Sequence, residues 1–440
     1  MLLRFVAENI MSFKDATEFN TFPSSRTKNH NHHKIACGHV NAMRLSAIYG
    51  ANGAGKSNLI KAILLLQDLI EAESLAKLDF FNDFAFRLDP QYEDKPSELA
   101  IEFFHQQKVF YYHIVFSHQK ILLEELFVSE KHKDNQIFIR THKKGDIRIN
   151  GDWLKKISEP FLEALDRLVR PDMLLFSFLG KYYKKEFPIV ATAYQWFSYS
   201  LKIVRPSYDT GTVPHFLDTE PDFAKLVNSL IPDFNTGIFR LDVRKEVIDE
   251  KEVNDNGSLQ AIKLAKQYPG VPFVIVFRGE MANIVFENNV LYRKTLISIH
   301  KNLAGSEVDM PFSGESDGTR RLIDYMPLFY AILHQPRVYV VDEIERSIHP
   351  LLIKNIIQKI SERETMQGQL IFTTHESCLL DQDIFRPDEI WFAQKDVEQA
   401  TQLYPLSDYN IHKTANIENG YLNGRYGGIP FLANLKDLHW

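Results

Sequence analysis

The run Gly50-Ala-Asn-Gly-Ala-Gly-Lys-Ser57 has the residue types and spacing of a phosphate-binding P-loop. Gly50, Gly53 and Gly55 let the backbone wrap with its N–H groups turned inward, Asn52 and Ala54 lying between them. Lys56 has the length and charge to reach the β- and γ-phosphates, and the Ser57 hydroxyl is a hard oxygen ligand for Mg2+. Asn58 opens a helix whose positive end faces the same anion. The residues just before, Arg44-Leu-Ser-Ala-Ile-Tyr49, read as a buried strand; those after, Asn58-Leu-Ile-Lys-Ala-Ile-Leu-Leu-Leu66, read as a helix. Strand, glycine-rich turn and helix together imply a nucleoside triphosphate site.

Such a loop needs an acid from a neighbouring strand. Arg337-Val-Tyr-Val-Val-Asp-Glu343 supplies it: four apolar residues, three of them valine, read as a fully buried strand. Asp342 at its end is expected to hold magnesium through water, and Glu343 to polarise an attacking water. Glu345 is the competing acid, expected to be solvated or to cap a helix. In Gln369-Leu-Ile-Phe-Thr-Thr-His375 a further apolar strand ends in a histidine. Carboxyl ends of parallel strands converge on the ligand crevice, so His375 either points at the γ-phosphate or caps the next helix. Ser316-Asp317-Gly318 forms a polar turn before an apolar helix at 322–333. It is a helix N-terminus suited to an anion, or simply a capped helix.

The order P-loop, Ser-Asp-Gly-Thr, apolar strand with Asp-Glu, Ser-Ile-His-Pro and Thr-Thr-His resembles the ATP-binding-cassette ATPases of the chromosome-maintenance, RecF and overcoming-lysogenisation-defect group. Asn9-Ile-Met-Ser-Phe-Lys14 looks like that group's first β-hairpin, which packs near the adenine. Four stretches make the chain most similar to bacterial ATPases of the abortive-infection, RloA-like kind. They are Ala47 to Asn58, Glu315-Ser-Asp-Gly-Thr-Arg-Arg321, Gln369 to His375, and Gly420-Tyr-Leu-Asn-Gly-Arg-Tyr-Gly-Gly-Ile-Pro430. The resemblance implies ATP with Mg2+ as cofactors and an α/β, ABC-type P-loop head with a mixed β-sheet and an inserted, mainly helical region. It implies that Ser316, Asp317 and Gly318 are the signature loop, which meets ATP held by a second subunit in a head-to-tail homodimer or higher homo-oligomer. Ser347-Ile-His349 then stands at the D-loop. Asp317 departs from the Ser-Gly-Gly of transporter ATPases, and an acid there repels polyphosphate unless it turns away or holds an arginine.

The elements that position these motifs lie far apart in the chain, so something is inserted between Lys56 and Asp342. The expected division is 1–130, the first part of the ATPase domain; 131–300, the insertion; and 301–440, the remainder with signature, acids and histidine. Strands are expected at 99–104, 109–116 and 121–128. Helices follow at 153–170, 187–203 and 222–230, then strands at 236–243, 271–277 and 284–286. No heptad run is long enough for an extended coiled coil.

Composition is that of an ordinary globular chain: 440 residues, 45% hydrophobic, 25% charged, net charge −6. No global basic field advertises nucleic acid, so direct DNA binding is expected to be weak. Lys181-Tyr-Tyr-Lys-Lys-Glu186 is the local exception, able to stack bases and pair phosphates, or else a solvated helix face. Two distant cysteines, Cys37 and Cys378, suit a reducing compartment. Early charges at the N-terminus argue against a signal peptide, and no run of about 18 apolar residues offers a membrane span. A cytoplasmic protein is expected. His30, His32, His33 and His39 lack the carboxylate or cysteine pattern of a zinc site and are expected in a mobile loop. Arg425 is either carried to the nucleotide or a partner, or belongs to a C-terminal latch.

The function expected from the resemblance is ATP hydrolysis controlling an effector protein, a Toprim- or RloB-like nuclease or toxin, in bacterial anti-phage defence. A RecF-like repair ATPase that binds DNA itself is the alternative. A sensor that binds ATP without hydrolysis is disfavoured by Glu343.

Overall fold

The computed structural model describes residues 1–77, 84–142, 147–150, 159–206, 211–250, 253, 255–277, 280–412 and 415–429. Two compact units divide the chain: Met1–Pro206 with His334–Ile344 and Ile357–Trp440, and Ser207–Leu333 with Glu345–Ile356.

The first unit is built on a six-stranded sheet: β1 Leu45–Gly50, β2 Leu201–Val204, β3 Val338–Val341, β4 Gln369–Thr373, β5 Ile390–Lys395 and β6 Thr401–Pro405. The spatial order is β2-β3-β4-β1-β5-β6, parallel except for β6. Every residue of β1, β3 and β4 is buried, as strands covered on both faces require. After β1 comes helix α1, Lys56–Ala72, which buries Leu59, Ile60, Ile63, Leu66, Leu69 and Ile70 at helical spacing. A seven-stranded antiparallel sheet belongs to the same unit; its strands include Leu2–Glu8, Ser97–His105, Lys108–Phe116 and Ile121–Ser129. The Gln369 side chain, fully buried on β4, joins the two sheets. It accepts from Leu2 N at 2.7 Å and donates to Leu2 O and Met43 O at 3.0 and 2.8 Å. This α/β arrangement of a parallel P-loop core with an antiparallel sheet is the mixed-sheet head expected.

One expectation fails where it matters for the site. Residues 201–203 are strand rather than the end of a helix. Helix Pro188–Gln195 widens into a π-turn, Trp196–Ser200, and the chain then pairs as β2 with β3. Leu201 and Val204 are buried beside Val338 and Val341, and that tertiary pairing outweighs the helical pattern. Gln67 on α1 fixes the turn by donating to Phe197 O and Leu201 O at 2.7 and 3.2 Å. Of the helix expected at 153–170, residues 151–158 lie outside the described ones; the remainder is helical over Glu159–Leu168.

The second unit contains an antiparallel sheet of Arg240–Val247, Val290–Lys301, Glu280–Glu287 and Phe273–Phe277, with Glu307–Pro311 added to Val290–Lys301. Helices Val213–Thr219, Pro221–Leu230 and Asn256–Gln267 accompany it. The inserted region thus holds a sheet as well as helices. The strand expected from 236 begins only at Arg240, because Gly237 takes a φ of 81° and breaks the extended run. Lys294 is fully buried in this sheet, 2.7 Å from Asp218, with Glu287 also bonded to it. Helix α2, Asp317–His334, and the start of helix α3, Pro350–Ser361, complete the unit.

Candidate nucleotide site

The end of β1 and the start of α1 hold the glycine-rich loop where the sequence expects it. Gly50 leaves the strand at φ 155°, and a Cβ there would stand 2.5 Å from the Ala393 carbonyl oxygen of β5. Gly53 and Gly55 take φ of 78° and 106°, a region L side chains avoid. A Cβ on Gly55 would also collide with the Thr401 side chain. Asn52 and Gly53 are exposed while Ala54, Gly55 and Lys56 are buried, so the open side of the loop is its Asn52–Gly53 crest. Lys56 Nζ folds back across this loop, donating to Gly50 O at 2.7 Å and Ala51 O at 3.2 Å.

The loop is braced from a side the sequence reading did not assign. Thr401 Oγ1 on β6 lies 2.9 Å from Ala54 O and 2.8 Å from Ser12 Oγ. Asn58 donates its amide to Ser12 Oγ at 2.8 Å, so its side chain anchors the turn at Asn9–Lys14. Ser12 and Thr401 carry no motif; only the fold brings them to the loop. Beside Ser12, Lys14 bonds Glu398 and Asp89, which hold its ammonium above the ordinary lysine range.

The acids stand one strand away from the loop's neighbour, β4. Ser57 Oγ donates to Asp342 Oδ1 at 3.0 Å, joining the P-loop to the end of β3. Asp342 is 6% exposed, and its N–H donates to Val204 O at 2.9 Å. Thr373 Oγ1, at the end of β4, donates to the same Asp342 oxygen at 2.6 Å and accepts from Glu343 N at 2.8 Å. Glu343 sits at φ 52°, which turns the chain sharply after Asp342. A hydroxyl and a carboxylate side by side are hard oxygen donors of the kind Mg2+ takes. His375 follows on the same strand end and is exposed. P-loop, Asp342, Glu343 and His375 therefore share the carboxyl edge of one parallel sheet, where such sheets bind ligands.

Ser316, Asp317 and Gly318 lie in the second unit, at the start of α2. Ser316 Oγ accepts from Thr319 N at 3.2 Å and so caps the helix. Asp317 is 80% exposed and ion-paired to Arg320 one turn on. That pair answers the departure noted in the sequence: the acid holds an arginine. Gly318 has no room for a side chain, because a Cβ would meet the Ser347 carbonyl oxygen. The turns at Ser316–Gly318 and Ser347–His349 thus touch within the unit. Glu345 lies at the start of that second turn, where its carbonyl accepts from Ile348 N at 2.8 Å.

Three flanking features are corrected or refined. His30, His32 and His33 form a packed 3-10 turn rather than a mobile loop. His30 Nε2 bonds Gln382 O, His32 Nε2 and His33 Nε2 bond Ser361 O, and His33 Nδ1 bonds Glu389, at 2.8 to 2.9 Å. These contacts pin the turn, and a ligand atom from each of the three rings lies within 4.8 Å of the others, close enough to hold a metal ion; His39 is exposed. Lys181, Lys184 and Lys185 are all exposed, and Lys181 is bonded to Glu73, which also accepts from Tyr182 Oη. The C-terminal glycine-rich turn packs as a latch on β5. Tyr426 is fully buried against Phe392, Tyr404 Oη donates to Tyr426 O at 2.9 Å, and Arg425 is exposed. Gly428 approaches the same Ala393 carbonyl that confines Gly50.

Residues 45–381 match the family model described as "AAA domain, putative AbiEii toxin, Type IV TA system". No curated protein matches the chain. Among solved structures, an Smc head bound to the C-winged helix domain of ScpA aligns at 14% identity and TM-score 0.42, over 92% of this chain and 97% of that one. The SMC head domain from Thermotoga maritima aligns at 12% and 0.39, over 93% and 99%. Likeness at that level bears on neither activity nor partners. With the family model spanning the P-loop, both acids and His375, the chain belongs to the AAA-domain family of putative AbiEii toxins of type IV toxin–antitoxin systems.

Proposed function

We propose that the chain binds ATP at Gly50–Asn58 and hydrolyses it. The observation that carries this reading is the contact of Ser57 Oγ with Asp342 Oδ1, two motifs far apart in sequence meeting as one oxygen donor set. Ser57 and Asp342 would hold Mg2+, which supplies charge neutralisation between the β- and γ-phosphates when bound. Lys56 would exchange its bonds to Gly50 O and Ala51 O for phosphate oxygens. Glu343 would orient the attacking water, and His375 would face the γ-phosphate.

On this reading Ser316, Asp317 and Gly318 complete the site of a second copy in a head-to-tail homodimer. The Asp317–Arg320 pair supports it, since a neutralised acid does not repel an incoming polyphosphate. ATP-driven association would then control an effector, a nuclease or toxin of the Toprim or RloB kind, in anti-phage defence in the cytoplasm. The toxin–antitoxin description of the family supports that setting. No helix among the described residues is long and apolar enough to cross a membrane. The rival reading, a repair ATPase gripping DNA, has less support: net charge is −6 and Lys181 is committed to Glu73.

The test is titration with a fluorescent ATP analogue and Mg2+. Wild type should bind, and Lys56→Ala should weaken binding at least tenfold, on the order of the loss of one charge-assisted phosphate contact. Equal binding by both proteins contradicts the site.

A further inference from the structure

Thr373 is buried completely, and its one hydroxyl serves both acids. It donates to Asp342 Oδ1 at 2.6 Å, the oxygen that also accepts from Ser57, and it accepts the backbone N–H of Glu343 at 2.8 Å. The Thr373 carbonyl takes the next N–H, from Ile344, at 3.2 Å. The turn it braces holds Glu343 at φ 52°, a conformation that persists only where its surroundings over-determine it. Asp342 and Glu343 are adjacent in sequence, yet their proposed tasks need the two carboxylates aimed differently. Without the hydroxyl, Asp342 keeps only its Ser57 partner among these bonds, and the half-buried Glu343 N–H loses this acceptor.

We propose that Thr373 is a positioning residue that registers the magnesium-ligand carboxylate of Asp342 with the water-orienting carboxylate of Glu343. It acts through the two acids it bonds. Because the inference rests on the ATPase reading above, its test must fail separately from that reading.

The variants are Thr373→Val, which keeps shape and loses the hydroxyl, and Thr373→Ser, which keeps the hydroxyl. Three readouts are taken on the full chain: kcat and KM for ATP, the free Mg2+ needed for half-saturation with the fluorescent analogue, and melting temperature. Removing a partner that orients a metal ligand costs about 10- to 100-fold in metal affinity or activity. Thr373→Val should therefore lower kcat about tenfold or more and raise the Mg2+ requirement about tenfold, with KM for ATP within about threefold of wild type. Thr373→Ser should restore both. Wild-type kcat and Mg2+ requirement in Thr373→Val would overturn the proposal, as would a serine variant impaired like the valine one. If Thr373→Val does not fold, Thr373→Ala replaces it under the same criteria. If wild type binds the analogue without turning it over, the hydrolysis reading fails, while the Mg2+ comparison still decides the role of Thr373.

Discussion

Thr401 occupies the space that a side chain at Gly55 would need. A strand late in the chain therefore sets the shape of the P-loop, and Gly55 is required twice over, by that contact and by its φ of 106°. Gly55→Ala should weaken binding of the fluorescent ATP analogue about 10-fold or more, given about 1–3 kcal/mol for a residue forced into such a region. Adding Thr401→Ala should relieve the collision without restoring affinity, since the backbone requirement remains. Wild-type affinity in Gly55→Ala would show that the loop has another shape when loaded.

The motifs were legible because their chemistry is local: glycines at fixed spacing, and four buried residues before Asp342-Glu343. The parallel strands β1, β3 and β4 were legible for the same reason, each being a short continuous apolar run. What the sequence hid depends on distant partners. Residues 201–203 continue a helical pattern and join β2 because β3 pairs with them. Ser12, Thr373 and Thr401 are ordinary hydroxyl residues until the fold brings them within 3 Å of a loop carbonyl, an acid or each other. The histidine turn was misread for a related reason, its fixed contacts being with Ser361, Gln382 and Glu389, far along the chain.

The head-to-tail proposal makes Ser316 a contact for the nucleotide of a second copy. Ser316→Arg should leave ATP binding intact while abolishing ATP-dependent association, read by light scattering on a Glu343→Gln background. Because Ser316 also caps α2, Ser316→Asn is the control; it keeps the cap, whose loss alone costs about 1 kcal/mol. Association of Ser316→Arg equal to the control would remove the signature turn from the interface.

Lys294 gives the second unit a pH signature. Asp218 and Glu287 are partly desolvated, which alone would raise them, but bonds to Lys294 and Lys245 hold both below the usual carboxylate range. A depressed carboxylate contributes stability that is present above its unfolded pKa and lost as pH falls through its folded value. Lys294→Met should cost about 3 kcal/mol near pH 7, as breaking a buried pair does. The difference from wild type should shrink progressively as pH falls below about 4 and on through the depressed folded values of the two carboxylates. Thermal melts at pH 7 and pH 3.5 measure it. An unchanged difference at the two pH values would mean that Lys294 acts through packing alone.

The most direct test of the account is single-site turnover with Glu343→Gln. If Asp342 and Ser57 hold the metal and Glu343 orients water, this variant should bind ATP with near wild-type affinity. Its hydrolysis should be slower on the order of 100-fold, the usual cost of losing a positioned general base. Radiolabelled phosphate release, measured beside equilibrium binding on the same preparation, separates the two. Wild-type turnover in Glu343→Gln, with binding preserved, would contradict the assignment and leave Glu345 as the acid to test next.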